Sequence, residues 1–359
     1  MNEVITERTV VAAAVGLDLS DRRVQMAIVE MRSGQCVEEG RLALSQTALA
    51  RRFASARRMR VVLEVGTHSP WVSRLLEAWG HEVLVANPRQ VQLIAKSRRK
   101  TDRVDALVLA RLARLDPELL HPIRHRSEGA QTDLARVRVR AALVRTRTAL
   151  IQHVRGALKS LGYRLPSCSV EVFARRAGSA LAPALAPALE PLVETIELLT
   201  RQIRLFDRTL EELARTKYPE TDCLRQVDGV GWLTALTYVL TLEDAGRFSR
   251  SRTVGAYLGL TPRLEQSGSR NPQRGITKHG DPYLRTLLVQ CAQYILGPFG
   301  KPSDLRSHGQ RIAERGGANA KKRAVIAVAR KLAVLLHHLW RSGATYQPLR
   351  TQLDSELAA

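Results

Sequence analysis

The sequence predicts a mixed α/β domain at the N-terminus, a long helical connector in the middle and a mostly helical domain at the C-terminus. The first third of the chain contains several apolar runs of strand length. In the middle, apolar residues recur in steps of three and four, which is typical of helices that pack along their length. The last third has helical spacing with one irregular segment. A chain of 359 residues is long enough for two domains and a connector.

The N-terminal elements follow the order βββαβαβα. Residues 10–17 form a continuous apolar run, residues 24–29 alternate, and residues 36–44 follow a turn, so a three-stranded meander is predicted. After the meander we predict, in order, a helix at 47–58, a strand at 60–65, a helix at 69–79, a strand at 81–86 and a helix at 101–115. This order departs from a plain βαβ repeat, and periodicity alone supports a mixed α/β domain.

The connector carries two coiled-coil-like seams. The first consists of Leu134, Val137, Ala141, Val144, Thr148 and Ile151, and the second of Leu192, Ile196, Leu199, Ile203, Phe206, Leu210 and Leu213. Prolines at 183 and 187 interrupt any helix that would run through both seams. We therefore predict an antiparallel helical arm that also dimerises. Residues 134–176 hold ten Arg/Lys and one acid, Glu171, so the first helix either follows a phosphate backbone or exposes a solvated charged face.

Two glycine-containing segments mark the last third. Val227-Asp228-Gly229-Val230-Gly231 precedes an apolar helix and is similar to the hairpin of helix-hairpin-helix elements. In such hairpins, glycines like Gly229 and Gly231 let backbone N–H groups approach phosphate. Residues 261–280 are rich in Gly, Ser, Pro and basic residues, and helices are predicted from about 282 and at about 319–340.

The charge balance favours nucleic acid as the partner. The chain has 56 Lys+Arg against 34 Asp+Glu, a net charge of +22 that repels itself unless a polyanion neutralises it. A membrane surface is the alternative partner, but no helix combines an aromatic or leucine face with a lysine-rich one. Because aromatic residues make up only 4% of the chain, binding is expected to depend on phosphate contacts rather than on base stacking.

Location and redox state follow from what the first residues and the cysteines lack. The apolar run at 10–17 is shorter than a membrane span, and Glu3 and Glu7 stand where a signal peptide would be basic. We expect a cytoplasmic protein with no membrane partner, associated with the nucleoid when it is bound to DNA. The four cysteines form no short-spaced pair, so neither a disulfide framework nor a cysteine zinc site is predicted.

Four carboxylates form a candidate metal site. Asp18 and Glu64 lie where two predicted strands end, and Asp102 and Asp105 are three residues apart on one helix face. If the two strands are parallel neighbours, all four acids meet at one sheet edge and need cations, for which Mg²⁺ or Mn²⁺ suits hard oxygen ligands. Each acid alone also has an ordinary structural role, namely ending a strand, pairing with an arginine or favouring a helix N-terminus.

The irregular segment holds a candidate nucleophile. Ser267 and Ser269 lie among basic residues, and a serine that attacks phosphorus needs positive charge around the phosphate. A flexible phosphate-binding loop is the alternative, and composition does not choose between the two serines. The residues expected to contact nucleic acid are Arg98, Arg99, Lys100, Gly229, Gly231, Arg263, Arg270, Arg274, Lys278 and Arg285.

Several motifs, in this order, resemble one bacterial family. They are Val15-Gly16-Leu17-Asp18, Leu63-Glu64-Val65-Gly66-Thr67, Asn87-Pro88, Lys100-Thr101-Asp102-Arg103-Val104-Asp105-Ala106, Val227-Asp228-Gly229-Val230-Gly231, Gly259-Leu260-Thr261-Pro262-Arg263, Ser267-Gly268 and Ile276-Thr277-Lys278-His279-Gly280. The family is the DEDD group of insertion-sequence transposases, catalogued as insertion-sequence family 110, and the resemblance spans about residues 11–342.

The resemblance implies a ribonuclease H-like (RuvC-like) nuclease domain at 1–125, a coiled-coil connector at 126–218, a C-terminal transposase domain at 219–345 and a tail at 346–359. It also implies that Asp18, Glu64, Asp102 and Asp105 bind Mg²⁺ and that Ser267 forms a covalent phosphoserine with DNA. Implied partners are element DNA, target DNA and a noncoding guide RNA. We further expect a dimer that becomes a tetramer on DNA, since strand exchange needs at least four cuts. The alternatives are a metal-only junction resolvase and a non-catalytic nucleic-acid-binding protein.

Overall fold

A computed structural model describes residues 11–88, 101–178, 181, 183–265 and 274–350. The chain forms two compact units that meet in sequence between residues 127 and 128. Each unit is described by itself.

The first unit is built on a five-stranded mixed sheet. Its strands are β1 (Ala13–Leu19), β2 (Arg23–Glu30), β3 (Cys36–Ala43), β4 (Arg60–Glu64) and β5 (Glu82–Ala86), in the spatial order β3-β2-β1-β4-β5. The first three pair antiparallel, as the predicted meander requires, while β4 and β5 run parallel to β1. The predicted mixed α/β domain is confirmed, and its topology is compatible with a ribonuclease H-like fold.

Helices cover both faces of this sheet. Because successive side chains on a strand point to opposite faces, Val15 and Leu17 pack with α1 (Gln46–Phe53) and α2 (Ser69–Ala78), whereas Ala14 packs with α3 (Asp102–Leu115) on the other face. A short 3₁₀ helix, Pro117–Leu120, follows α3 and buries Leu120 in the same layer as Ala14. The sheet edge where β1 and β4 end is thus framed by helices on both sides.

The second unit begins with two long helices that run antiparallel. They are α4 (Glu128–Ser160) and α6 (Ala186–Lys217), with the short α5 (Phe173–Gly178) between them in sequence. Arg140 Nε lies 2.8 Å from Asp207 Oδ1, and the next polar contact along α4 reaches back along α6, from Arg147 to Thr200. The arm is therefore antiparallel, while its coiled-coil character and its dimerisation stay predictions.

One predicted seam position in the arm is wrong. Thr148 is exposed, and the neighbouring Arg147 is buried in its place. The proline-containing break is also shorter than predicted, because α6 already begins at Ala186 and takes Pro187 into its first turn. A proline is tolerated there, since the N–H groups of a first helical turn have no partner within the helix.

The remaining helices pack around a second core. They are α7 (Glu220–Arg225), α8 (Trp232–Leu242), α9 (Arg252–Tyr257), α10 (Pro282–Leu296), α11 (Asp304–Glu314) and α12 (Ala320–Ser342), with a 3₁₀ turn at Ala245–Arg247. Tyr238 lies fully buried in this core and donates to the carbonyl of Ala333 at 2.6 Å. The arm joins it through Leu134, Leu210 and Leu236, so both belong to the same unit. The finer division at 218 stays a prediction.

Among the helices within the described residues, none combines the length and the apolar character needed to cross a membrane.

Candidate active site and nucleic-acid interface

Asp18 and Glu64 lie next to each other at one edge of the sheet. In the parallel pair of β1 and β4, Leu17 is opposite Leu63, and each acid is the next residue of its strand. Both side chains therefore emerge at the carboxyl ends of neighbouring strands, and both residues are half-buried. This is the parallel arrangement on which the predicted convergence of the acids depends.

The first turn of α3 reaches the same edge because Gly16 allows a close approach. A Cβ atom at Gly16 would lie 1.9 Å from the carbonyl oxygen of Ala106, so only a glycine lets this helix lie against β1. Ala106 directly follows Asp105, and Gly16 is two residues from Asp18. The close approach therefore brings the two acids of α3 towards the two acids of the strands.

The start of α3 suits acidic residues. Thr101 caps the helix, its Oγ1 accepting from the N–H of Val104 at 3.3 Å. Asp102 and Asp105 lie in the first turn, where the positive end of the helix dipole favours a carboxylate. Asp102 is exposed and Asp105 is half-buried, so both are positioned at the surface of the edge rather than in the core.

The backbone brings the four acids to one edge, but the side chains do not form a coordination shell. Within the described ranges, no three His, Cys, Asp or Glu side chains are grouped closely enough to hold a metal ion. The donor set itself, four carboxylates at the end of a buried sheet, has the chemistry that Mg²⁺ or Mn²⁺ prefers. The metal-binding role of these acids stays a prediction.

The loop after Glu64 is fixed by a hydrogen-bonded group that sequence reasoning missed. The hydroxyl of Ser69 donates to the carbonyl of Gly66 at 2.9 Å, accepts from the N–H of the same residue, and lies 2.9 Å from His125 Nε2. Burial, together with the nearby Arg74 and Arg126, lowers the pKa of His125. No spacing signal links residues 56 positions apart, so the sequence gives no indication of this contact.

Next to it, His68 connects two loops at this edge. Its Nε2 lies 3.5 Å from the carboxylate of Asp21 in the β1–β2 turn, and its Nδ1 accepts from Trp71 Nε1 at 3.3 Å. The contact with Asp21 joins the β4–α2 loop to the β1–β2 turn, and the hydrogen bond from Trp71 orients the His68 ring. Both loops border the edge that carries Asp18 and Glu64.

In the second unit, the two ends of the segment that carries the predicted nucleophile are held together by backbone hydrogen bonds. Pro262 and Ile276 form an antiparallel bridge, flanked by hydrogen bonds of 2.9 Å from Arg263 N–H to the carbonyl of Gly275 and from Thr277 N–H to that of Thr261. Ser267, Ser269 and Arg270 lie outside the described residues. The side chains of Glu265 and Arg274, one on each side of that interval, form an ion pair at 3.0 Å.

Two glycines allow the residues next to these paired ends to pack closely against each other. A Cβ at Gly259 would lie 2.2 Å from the backbone nitrogen of His279, and one at Gly280 would lie 2.2 Å from the carbonyl of Tyr257. Both residues also have positive φ angles, +68° and +73°. The two motifs that contain these glycines therefore pack directly against each other, backbone to backbone.

The predicted basic contacts divide into three groups. Arg263, Arg274 and Lys278 are exposed at or next to the paired ends of this segment. Arg285 instead stabilises the backbone next to these paired ends, because its guanidinium donates to the carbonyls of Leu258 at 3.0 Å and His279 at 2.7 Å. Outside the described residues lie Arg98, Arg99, Lys100 and Arg270.

Gly229 forms a tight turn for a reason that the sequence did not indicate. Val230 N–H donates to the carbonyl of Val227 at 3.0 Å, with Gly229 at φ +86°. A Cβ at Gly229 would lie 2.7 Å from Cδ1 of Tyr294, so ring packing and the positive φ both require glycine. Gly231 has an extended backbone and directly precedes α8. The phosphate-binding role of the two glycines stays a prediction.

Comparison with known proteins defines the class. Residues 15–162, which include the four acids, match the family model described as DEDD transposase IS110, and residues 221–304, which include Ser267, match the model of the transposase IS116/IS110/IS902 family. Together with the mixed sheet and the helical second unit, these matches define a DNA transposase.

Similar proteins agree over most of the chain. The transposase for insertion sequence element IS1111A of Coxiella burnetii is 31% identical and covers 80% of this chain and 79% of its own length. The transposase for element IS1328 of Yersinia enterocolitica is 30% identical, with coverage of 79% and 83%. A pilin gene-inverting protein of Moraxella bovis is 23% identical, with coverage of 92% and 97%. The chain belongs to the IS110 family of insertion-sequence transposases, as the motifs predicted.

Proposed function

We propose that the chain cuts and rejoins DNA by transesterification, with a divalent metal bound by Asp18, Glu64, Asp102 and Asp105 and with Ser267 as the nucleophile. The observation that carries the proposal is the shared edge, where Asp18 and Glu64 lie at the carboxyl ends of neighbouring parallel strands and the close approach at Gly16 brings α3 to the same place. Mutual repulsion of four carboxylates is costly unless cations neutralise it.

The metal has a defined task in this proposal. Mg²⁺ or Mn²⁺ held by the four acids would stabilise negative charge on the oxygens of the phosphate undergoing displacement. The chain's own part is to position the ligands. Asp18 and Glu64 are placed by the sheet register, and Asp102 and Asp105 by the capped start of α3.

The serine step conserves the number of phosphodiester bonds. The Ser267 hydroxyl gives up its proton as Oγ attacks phosphorus and forms a phosphoserine ester, while the bond to one strand breaks and the departing oxygen takes up a proton and leaves as a hydroxyl. A hydroxyl of the incoming strand then attacks the phosphoserine and releases the serine. Arg263, Arg274 and Lys278, which are exposed at or next to the paired ends of the segment, would supply the positive charge that this phosphate needs.

Partners follow from the same proposal. The name of the pilin gene-inverting relative describes inversion of a gene, which supports recombination between two DNA sites. We propose that a noncoding guide RNA pairs with element and target DNA. We also propose that the chain acts as a dimer that assembles into a tetramer on DNA.

A denaturing gel of the full chain with labelled DNA, guide RNA and Mg²⁺ tests the chemistry. We expect a covalent protein–DNA adduct that disappears in Ser267→Ala and persists in Ser269→Ala, the matched control two residues away. Free DNA ends that survive Ser267→Ala would instead indicate a metal-only resolvase. Failure of the wild-type chain to cleave would favour a binding protein.

A second variant separates the metal site from binding. Asp102→Asn removes one proposed ligand charge at an exposed position, so cleavage is expected to be lost while the affinity for nucleic acid is unchanged. Full cleavage by this variant would remove Asp102 from the proposed site. Equal loss of binding and cleavage would indicate a structural role for this residue.

A further inference from the structure

We propose that the ring of Phe299 is a stacking site for an unpaired nucleobase of the bound DNA. Residues 297–303 connect α10 to α11, and Phe299 lies in this loop with 78% of its surface exposed. All five phenylalanines lie within the described residues, and the other four, Phe53, Phe173, Phe206 and Phe248, are buried or half-buried. Phe299 is therefore the one phenylalanine of the described residues whose ring is exposed.

The loop that carries the exposed ring is braced by hydrogen bonds. Arg306 donates to the carbonyl of Ile295 at 2.6 Å and to that of Gly297 at 2.7 Å, and Gly300 N–H donates to Gly297 at 3.3 Å. A Cβ at Gly300 would lie 2.1 Å from the Ile295 carbonyl, so only a glycine lets the loop pack this closely against the end of α10. A ring held out by such a loop binds a planar partner with little further loss of conformational entropy.

The surroundings of the ring combine stacking groups with charge. Lys301, two residues on, reaches Asp228 at 3.2 Å, which fixes the loop beside the turn of Gly229. The ring of Tyr294 packs against that same glycine and is 44% exposed. The ring of Tyr294 and the Lys301–Asp228 ion pair thus lie at one tight turn, and Phe299 belongs to the loop that this ion pair fixes.

A nucleobase fits this surface better than a protein does. A stable protein interface needs about 800 Å² on each partner, and among the described residues near this turn only Phe299 and Tyr294 are large, apolar and exposed. One base needs only one ring, and every base has a face that can stack. This transposase acts on DNA and carries a net charge of +22, and strand exchange leaves bases of the DNA transiently unpaired.

A single exposed ring is compatible with the low aromatic content of the chain. A chain with 4% aromatic residues binds mainly through phosphates, yet a single well-placed ring is enough to capture one base. The proposed stacking depends on DNA as the partner and not on Ser267 or the proposed metal site. Its test is therefore a binding measurement without cleavage.

The test uses the full chain in EDTA with two labelled duplexes, one fully paired and one containing a short unpaired bubble. Phe299→Ala is expected to weaken binding to the bubble duplex about fivefold or more, with little change for the paired duplex. Phe299→Trp should retain the affinity of the wild type. Its added tryptophan fluorescence, relative to the four native tryptophans, should be quenched by the bubble duplex.

Tyr163→Ala is the matched control, because it removes a ring that is 50% exposed elsewhere in the chain. Thermal unfolding of each variant checks that the fold is intact, which is expected because the Phe299 ring makes little contact with the core. Unchanged affinity for the bubble duplex in Phe299→Ala would overturn the proposal. It would also be overturned by equal losses on both duplexes, or by a change of oligomeric state that identifies a protein contact.

Discussion

Gly16→Ala tests whether the contact between α3 and β1 positions Asp102 and Asp105 at the sheet edge that carries Asp18 and Glu64. The added methyl group would lie 1.9 Å from the carbonyl oxygen of Ala106 and 2.8 Å from the nitrogen of Ala110, both of them backbone atoms that no side-chain rotation can move. Ordinary contact begins near 3.4 Å, so the helix and the strand must separate by roughly 1.5 Å. Overpacking of this kind costs about 1–3 kcal/mol, which should lower the melting temperature by roughly 3–10 °C.

The same separation should affect cleavage more than stability. It moves Asp102 and Asp105 away from Asp18, and a displacement of about 1 Å in a reacting geometry can cost on the order of a hundredfold in rate. The assay is single-turnover DNA cleavage at saturating protein, at a temperature where the variant is fully folded. A differential scanning measurement supplies the stability.

Gly40→Ala is the matched control for this experiment. Gly40 is also a strand glycine, but its Cβ would meet only the methyl carbon of Met26, at 3.9 Å, which is ordinary contact. If Gly16→Ala equals this control in stability and cleavage, the packing argument is wrong. If it loses stability but cleaves at the wild-type rate, the spacing between α3 and β1 does not matter for the chemistry.

Three further predictions concern charge. Burial raises the pKa of Asp133, but hydrogen bonds from Lys217 at 2.6 Å and Tyr218 at 2.7 Å more than offset this effect, so the pKa is lowered. The carboxylate therefore contributes its full stability above the usual pKa of 3.8, and this contribution is lost as the pH falls below that value. Asp133→Asn should be about 2 kcal/mol less stable at pH 7, and its acid titration should lack this loss. Arg147 is 6% exposed and its Nε has no hydrogen-bond partner in the described part of the chain, so Arg147→Met should leave the denaturation midpoint unchanged or raise it, and a clear decrease would show that the charge is compensated. DNA affinity should fall steeply with salt, by a slope of about 0.9 per phosphate contacted, and a flat titration would contradict backbone-dominated binding.

The sequence predicts most of the first unit because its signals are local. The predicted strand at 60–65 is observed as Arg60–Glu64, and the predicted helix at 101–115 as Asp102–Leu115, since apolar alternation and a threonine cap each mark an element within a few residues. The arm was predicted less accurately. Steps of three and four place Thr148 in the seam, but Arg147 is buried instead because it faces Thr200 on the other helix, and this pairing is set by tertiary register.

In the candidate site too, residues with local sequence signals were predicted, and residues joined by long-range contacts were missed. Asp18 and Glu64 were predictable because each ends a recognisable strand, and parallel strands bring their ends together. Ser69 and His125 were missed, and Arg285 was assigned to nucleic acid although its guanidinium binds two backbone carbonyls. These contacts join residues far apart in sequence or depend on loop conformation, so neither residue type nor spacing indicates them.

Gly229 shows how one residue type can satisfy two requirements that a sequence cannot separate. A glycine in Val227-Asp228-Gly229-Val230-Gly231 is expected wherever a backbone N–H must approach phosphate, and equally wherever a turn needs a positive φ beneath a neighbouring ring. The structure supplies the second requirement through Tyr294, whose Cδ1 would be 2.7 Å from a Cβ. The motif alone therefore does not distinguish phosphate binding from turn packing. The feature of this region that points to DNA is the ring of Phe299, which is 78% exposed and has no such packing role at the turn of Gly229.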